Sequence, residues 1–66
     1  MQITVNGEVR ESNRTLTITA LLEEMGLAQR RVAVEVNKTL VPRSLHARHM
    51  LAPGDQVEIV QAIGGG

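Results

Sequence analysis

Residues 15–27 read "TLTITALLEEMGL", and here the hydrophobic period of the chain changes. Ile18, Leu21, Leu22 and Met25 fall at i, i+3, i+4 and i+7, which is one face of a helix. Thr17 stands just ahead as an N-cap, where a hydroxyl can accept a hydrogen bond from a free amide of the first turn. Gly26 fits the left-handed residue that ends a helix, with Leu27 packing back on the last turn. Glu23 and Glu24 lie at the helix end that the dipole disfavours for acids, and are expected to be held by solvent alone.

On both sides of this segment the period is two. Ahead of it, "QITVNGEVRES" (residues 2–12) puts Ile3 and Val5 on one face and Gln2 and Thr4 on the other. Asn6-Gly7 is a strong hairpin signal, because both residues accept the positive φ of a type I′ turn. Val9 and Glu11 continue the second strand. After the helix, Val32–Val36 reads as a strand with its three valines on one face and Ala33 and Glu35 on the other. Asn37-Lys38 makes a turn and Thr39–Val41 returns. Pro42 has no amide hydrogen, so pairing should stop there or lie at an edge. "RSLHARHML" (43–51) suits one or two helical turns with Leu45 tucked inward. Pro53-Gly54-Asp55 is a turn, and "QVEIVQAI" (56–63) alternates as a last strand with Val57 and Ile59 on one face.

The order β-β-α-β-β-β calls for a two-layer solution in which one apolar helix face covers one face of a sheet. The first and last strands are the regular, apolar ones, and the reading sets them side by side and parallel at the sheet centre. A parallel pair needs a crossover connection, which the helix supplies. The expected fold class is α+β: a β-grasp, ubiquitin-like, with a mixed sheet of four to five strands and one main helix. Residues 1–63 would form the domain and residues 64–66 a flexible glycine tail.

Composition narrows the function. With 66 residues the chain is one domain, with a total stability of roughly 3–10 kcal/mol on per-residue averages. It contains no cysteine and no Phe, Tyr or Trp; disulfides, thiolate metal sites and base stacking are excluded. Seven basic and seven acidic side chains cancel, which argues against nucleic-acid binding. The N-terminus lacks an apolar run long enough for a signal peptide or membrane span, so no membrane partner and a cytoplasmic location are expected. His46 and His49 would share a helical face, but no third ligand stands nearby for zinc; they read as surface or half-buried imidazoles, and no metal is expected. Arg30-Arg31 and Arg43/Arg48 read as solvated surface. No nucleophile, base or phosphate loop emerges, so no catalytic residue is assigned and the chain is not expected to be an enzyme.

Three of its six glycines are Gly64, Gly65 and Gly66. Lacking Cβ atoms, they form a thin arm able to enter a tight channel, reaching roughly 10 Å beyond the last strand. A terminal carboxylate carried this way is inert until activated, for example by adenylation.

The chain resembles the ThiS family, the sulfur carriers of thiamine biosynthesis, over essentially its whole length. The resemblance rests on "ITALLEEMGL", "AVEVN", "VPRS", "GDQVEIV" and the terminal Gly-Gly, in that order and spacing. It implies that a ThiF-like adenylating enzyme activates the Gly66 carboxylate with ATP. Sulfur from cysteine, by way of a desulfurase, would then give a thiocarboxylate for thiazole synthase. The protein itself would bind no cofactor and be a monomer when free. Gly65 and Gly66 match the family's terminal pair, while Gly64 stands where relatives vary and shares in the tail that enters the partner's active site. Val60, Ala62 and Ile63, beside the tail, are expected to dock the partner. The alternatives are the small subunit of molybdopterin synthase, a tRNA-thiolation carrier or ubiquitin-like modifier, and a plain β-grasp binding module with an idle tail.

Overall fold

The computed structural model describes residues 1–61. In chain order the elements are β1 (Gln2–Val5), β2 (Glu8–Glu11), α1 (Ile18–Glu24), β3 (Val32–Val36), β4 (Thr39–Val41), a 3-10 turn (Arg43–Leu45) and β5 (Gln56–Gln61). The five strands form one sheet in the order β2-β1-β5-β3-β4. β1 and β5 are neighbours and parallel, and every other pairing is antiparallel. This is the expected mixed sheet with β1 and β5 at its centre. The expected boundary between domain and tail lies outside the described residues.

Each hairpin turn opens on an asparagine, which tolerates positive φ better than most residues. Asn6 and Gly7 have φ of 50° and 82°, Asn37 and Lys38 of 51° and 70°, as two-residue hairpin loops require. Thr17 caps α1 by accepting from the Ala20 amide at 3.0 Å. At the other end Gly26 takes φ 74°, and the Leu27 amide turns back to the Leu22 carbonyl at 2.8 Å.

One apolar layer joins the helix to the inner sheet face. Ile18, Leu21 and Leu22 of α1 are buried with Ile3, Val5, Val34, Val36, Val57 and Ile59 in a single cluster. Val41 of β4 belongs to it, and Leu16 and Leu51, from the loops, complete it. They are tied together by a 2.8 Å bond from the Leu51 amide to the Leu16 carbonyl. Residues 43–49 also serve the start of α1, since the carbonyls of His49 and His46 accept from the amides of Ile18 and Thr19. Two first-turn donors that the helix leaves free are thereby satisfied.

Three expectations are corrected. Leu45 is not tucked inward; it is 41% exposed. The inward residue is His46, 5% exposed, so its imidazole is neither superficial nor half-buried. The 3-10 turn ends at Leu45, and the next residue meets the core edge, where the His46 Nε2 lies 3.0 Å from the Val41 carbonyl. A buried imidazole needs such a partner, whereas an exposed leucine at the rim costs little. Thirdly, Glu24 is not held by solvent alone. Arg10, opposite Ile3 on the inner side of β2, and Arg14 each bring a guanidinium nitrogen to 3.7 Å from its carboxylate.

Candidate functional site

The chemistry expected of this chain lies at the end of β5. Ala62, Ile63, Gly64, Gly65 and Gly66 fall outside the described residues; the strand that leads to them does not. β5 is the middle strand of the sheet, flanked by β1 on one side and β3 on the other. Val57 and Ile59 are buried against the helix layer, so Gln56, Glu58 and Val60 occupy the uncovered face, as the alternation requires.

Register assembles the rest of that face. Ala33 of β3 lies directly opposite Val60, and Glu35 opposite Glu58. Leu40 of β4 lies opposite Glu35, and Val9 of β2 opposite Thr4. Val60 is 64% exposed and Leu40 is similarly open. Beside Val60, a shallow depression of about 310 Å³ is bounded by Arg31, Val32, Ala33, Val60 and Gln61. The end of β5 therefore carries an apolar shelf with one guanidinium at its edge. Two carboxylates, Glu35 and Glu58, face each other at its inner border. Like charges directly opposite one another weaken a sheet, so their presence here costs the free domain some stability.

Of the expected docking residues the structure describes Val60, and places it on this open face. Ala33 and Leu40, which share the face, were not singled out in the sequence. The signal was partly there: three inward valines in β3 turn Ala33 outward, but only the register of β3 on β5 sets it against Val60.

The remaining candidates do not gather into a second site. His46 and His49 are not joined by further ligands, and among the described residues no group of three His, Cys, Asp or Glu side chains is placed to hold a metal ion. A cavity of about 210 Å³ lies between α1 and residues 43–47, with Arg30, Arg43 and His46 in its wall. Among the described residues no helix is long and apolar enough to cross a membrane.

Comparison with known proteins bears directly on this strand and its extension. The ThiS family model matches residues 3–66. The thiazole synthase of Paramagnetospirillum magneticum is 46% identical over 66 residues, covering 100% of this chain and 20% of that protein. The chain thus spans about a fifth of the thiazole synthases it matches, which contain a region similar to all of it. The sulfur carrier protein ThiS of Escherichia coli is 35% identical, with 100% of both chains covered. The crystal structure of the thiamine biosynthesis protein (ThiS) from Geobacter metallireducens superposes with a TM-score of 0.85, at 33% identity over 100% of both chains.

Proposed function

The chain belongs to the ThiS family, and from that premise we propose that it carries sulfur as a thiocarboxylate on Gly66, for transfer to a thiazole synthase. The observation that carries this reading is a family match that runs through residue 66, on a fold whose central strand leads toward that residue.

A carboxylate does not exchange its oxygen for sulfur unaided, because oxide is a very poor leaving group. A partner enzyme first joins the Gly66 carboxylate to the α-phosphorus of ATP, releasing pyrophosphate and forming an acyl adenylate. A sulfur nucleophile drawn ultimately from cysteine then attacks the carbonyl carbon and expels AMP. With the persulfide left by a desulfurase as that nucleophile, the product is an acyl disulfide. A second thiol then attacks the donor's sulfur, forms a disulfide with it and releases the thiocarboxylate, a better nucleophile than the carboxylate it replaced. The adenylating enzyme is of the ThiF kind, a cysteine desulfurase supplies the sulfur, and ATP is bound by the partner. The carrier contributes a narrow arm of Gly64, Gly65 and Gly66 and a surface by which it is held. The role is that of a cosubstrate.

The surface we assign to the adenylating enzyme is the open face around Val60, and we assign Ala62 and Ile63, which follow in the sequence, to the same contact. Its apolar shelf lies beside the strand that leads to the tail, so one partner can grip both. Similarity to one region of the thiazole synthases supports the assignment of the acceptor, since fusion of two functions in one chain favours their acting together.

The test is removal of Gly65 and Gly66. With the adenylating enzyme and ATP, the full chain supports ATP–pyrophosphate exchange and the truncated chain does not, while both keep the same far-UV circular dichroism. Equal exchange with both chains would refute the carrier reading and leave a binding module.

A further inference from the structure

Asn6 opens the β1–β2 turn at φ 50°, an angle that asparagine and glycine tolerate better than other residues. Its side chain is engaged far away in sequence. Oδ1 accepts from the Ile59 amide at 2.7 Å, and Nδ2 donates to the Ile59 carbonyl at 3.2 Å. The path of the strands explains why. Odd-numbered residues of this segment turn their backbone groups toward β1: the Asp55 carbonyl accepts from the Thr4 amide at 3.0 Å, and the Val57 carbonyl from the Asn6 amide at 2.9 Å. β1 then leaves the sheet at Asn6-Gly7, and Ile59 would have no strand beside it on that side. A carboxamide carries the same donor and acceptor as a peptide group, so the Asn6 side chain extends the parallel ladder by one more rung. On its other flank β5 pairs with β3 as far as Val32 and Gln61.

We infer that Asn6 is a positioning residue for the carrier reaction: by holding Ile59 where β1 has departed, it fixes the line along which the segment after Gln61 is delivered to the partner's active site. The inference rests on the carrier reading above. Asn37 provides an internal comparison. It has nearly the same φ, 51°, and also clasps β5, but at its beginning. Its Oδ1 accepts from the Gln56 amide and its Nδ2 donates to Asp55 Oδ1, both at 3.0 Å. Either clasp stabilises the fold, but Asn6 alone of the two acts next to the exit.

The experiment compares Asn6→Gly with Asn37→Gly in the full chain. Glycine keeps the positive φ of each turn, so both variants retain the sheet, as circular dichroism verifies. Amide exchange of Ile59, referenced to Val34 as a reporter of global opening, is about tenfold faster or more in Asn6→Gly and unchanged in Asn37→Gly. With the adenylating enzyme, ATP and a sulfur source, kcat for thiocarboxylate formation falls about tenfold in Asn6→Gly while KM changes little, because orientation rather than docking is lost. In Asn37→Gly kcat stays within about twofold of the unsubstituted protein. Unchanged kcat in Asn6→Gly, or an equal fall in both variants, overturns the inference. If the unsubstituted protein gains no sulfur, the carrier reading is what fails. The exchange data then decide alone, and an Ile59 amide protected as before overturns the role of Asn6.

Discussion

Placing a carboxylate at Val60 separates docking from folding. Val60 is 64% exposed in the free domain, so about a third of a valine's burial, on the order of 0.5 kcal/mol, is lost in Val60→Glu. Glu58 lies two residues away on the same face. Two charges about 7 Å apart in water repel by roughly 0.6 kcal/mol before salt screens them. With the lower strand propensity of glutamate, the whole cost to folding is about 1–2 kcal/mol, which the domain should survive. Docking is a different case. If the shelf formed by Ala33 and Val60 is covered by the adenylating enzyme, the new charge is buried without a partner. A central contact of that kind is worth roughly 1.4–2.8 kcal/mol, or about 10–100-fold in KM. Val9→Glu is the matched control. Val9 is 66% exposed on the same face, but strand spacing and rise place it roughly 16 Å from Val60. The assay is ATP–pyrophosphate exchange as a function of carrier concentration. The reasoning is refuted if Val60→Glu leaves KM unchanged, or if Val9→Glu raises it equally.

Two further outcomes test the fold that presents the tail. Leu21 is 0% exposed, and Leu21→Ala should cost about 2–5 kcal/mol, a large part of a total near 3–10 kcal/mol. Urea unfolding followed by far-UV circular dichroism should show the midpoint falling by about a fifth or more, a loss of under ~1 kcal/mol being inconsistent with a helix face at the centre of the core. Glu24→Gln removes both 3.7 Å pairs with Arg10 and Arg14. These groups are well exposed, so the melting temperature should drop by less than about 4 °C, and by less still in high salt; a larger, salt-insensitive drop would mean that Glu24 anchors β2 in some other way.

Much of this fold is legible in the sequence because local chemistry and global arrangement agree. Asn6-Gly7 and Asn37 announce their turns by the backbone angles they tolerate, Gly26 marks the end of α1 for the same reason, and Thr17 marks its start by the hydroxyl that caps it. The alternation of Val57 and Ile59 with Glu58 and Val60 tells which residues stay outside. What escapes is whatever depends on meeting a distant part of the chain. Leu16 and Leu51 carry no period, yet both are buried, because the two loops containing them lie side by side. Leu45 is the apolar residue of its segment, but the 3-10 turn hands the inward position to His46, whose ring finds the Val41 carbonyl. Arg10 reaches Glu24 only because β2 is an edge strand with one side turned toward the helix. The second duty of Asn6 is hidden for a similar reason: its turn propensity is local, whereas its bonds to Ile59 exist only once β1 and β5 are parallel.

The same limit applies to the site. The glycine tail and its carboxylate are read from residue types alone. The shelf beside it needed the pairing of Ala33 with Val60 and of Glu35 with both Glu58 and Leu40. That register converts a single exposed valine into a surface a partner can hold.

The central claim is chemical, and an intact mass tests it most directly. The full chain is incubated with a ThiF-like adenylating enzyme, ATP, cysteine, a desulfurase and a thiol reductant. The account predicts a mass gain equal to replacing one oxygen by one sulfur, located on the peptide that ends in Gly66, and lost when ATP is omitted. An unchanged mass, with partners shown to be active on another carrier, would contradict it.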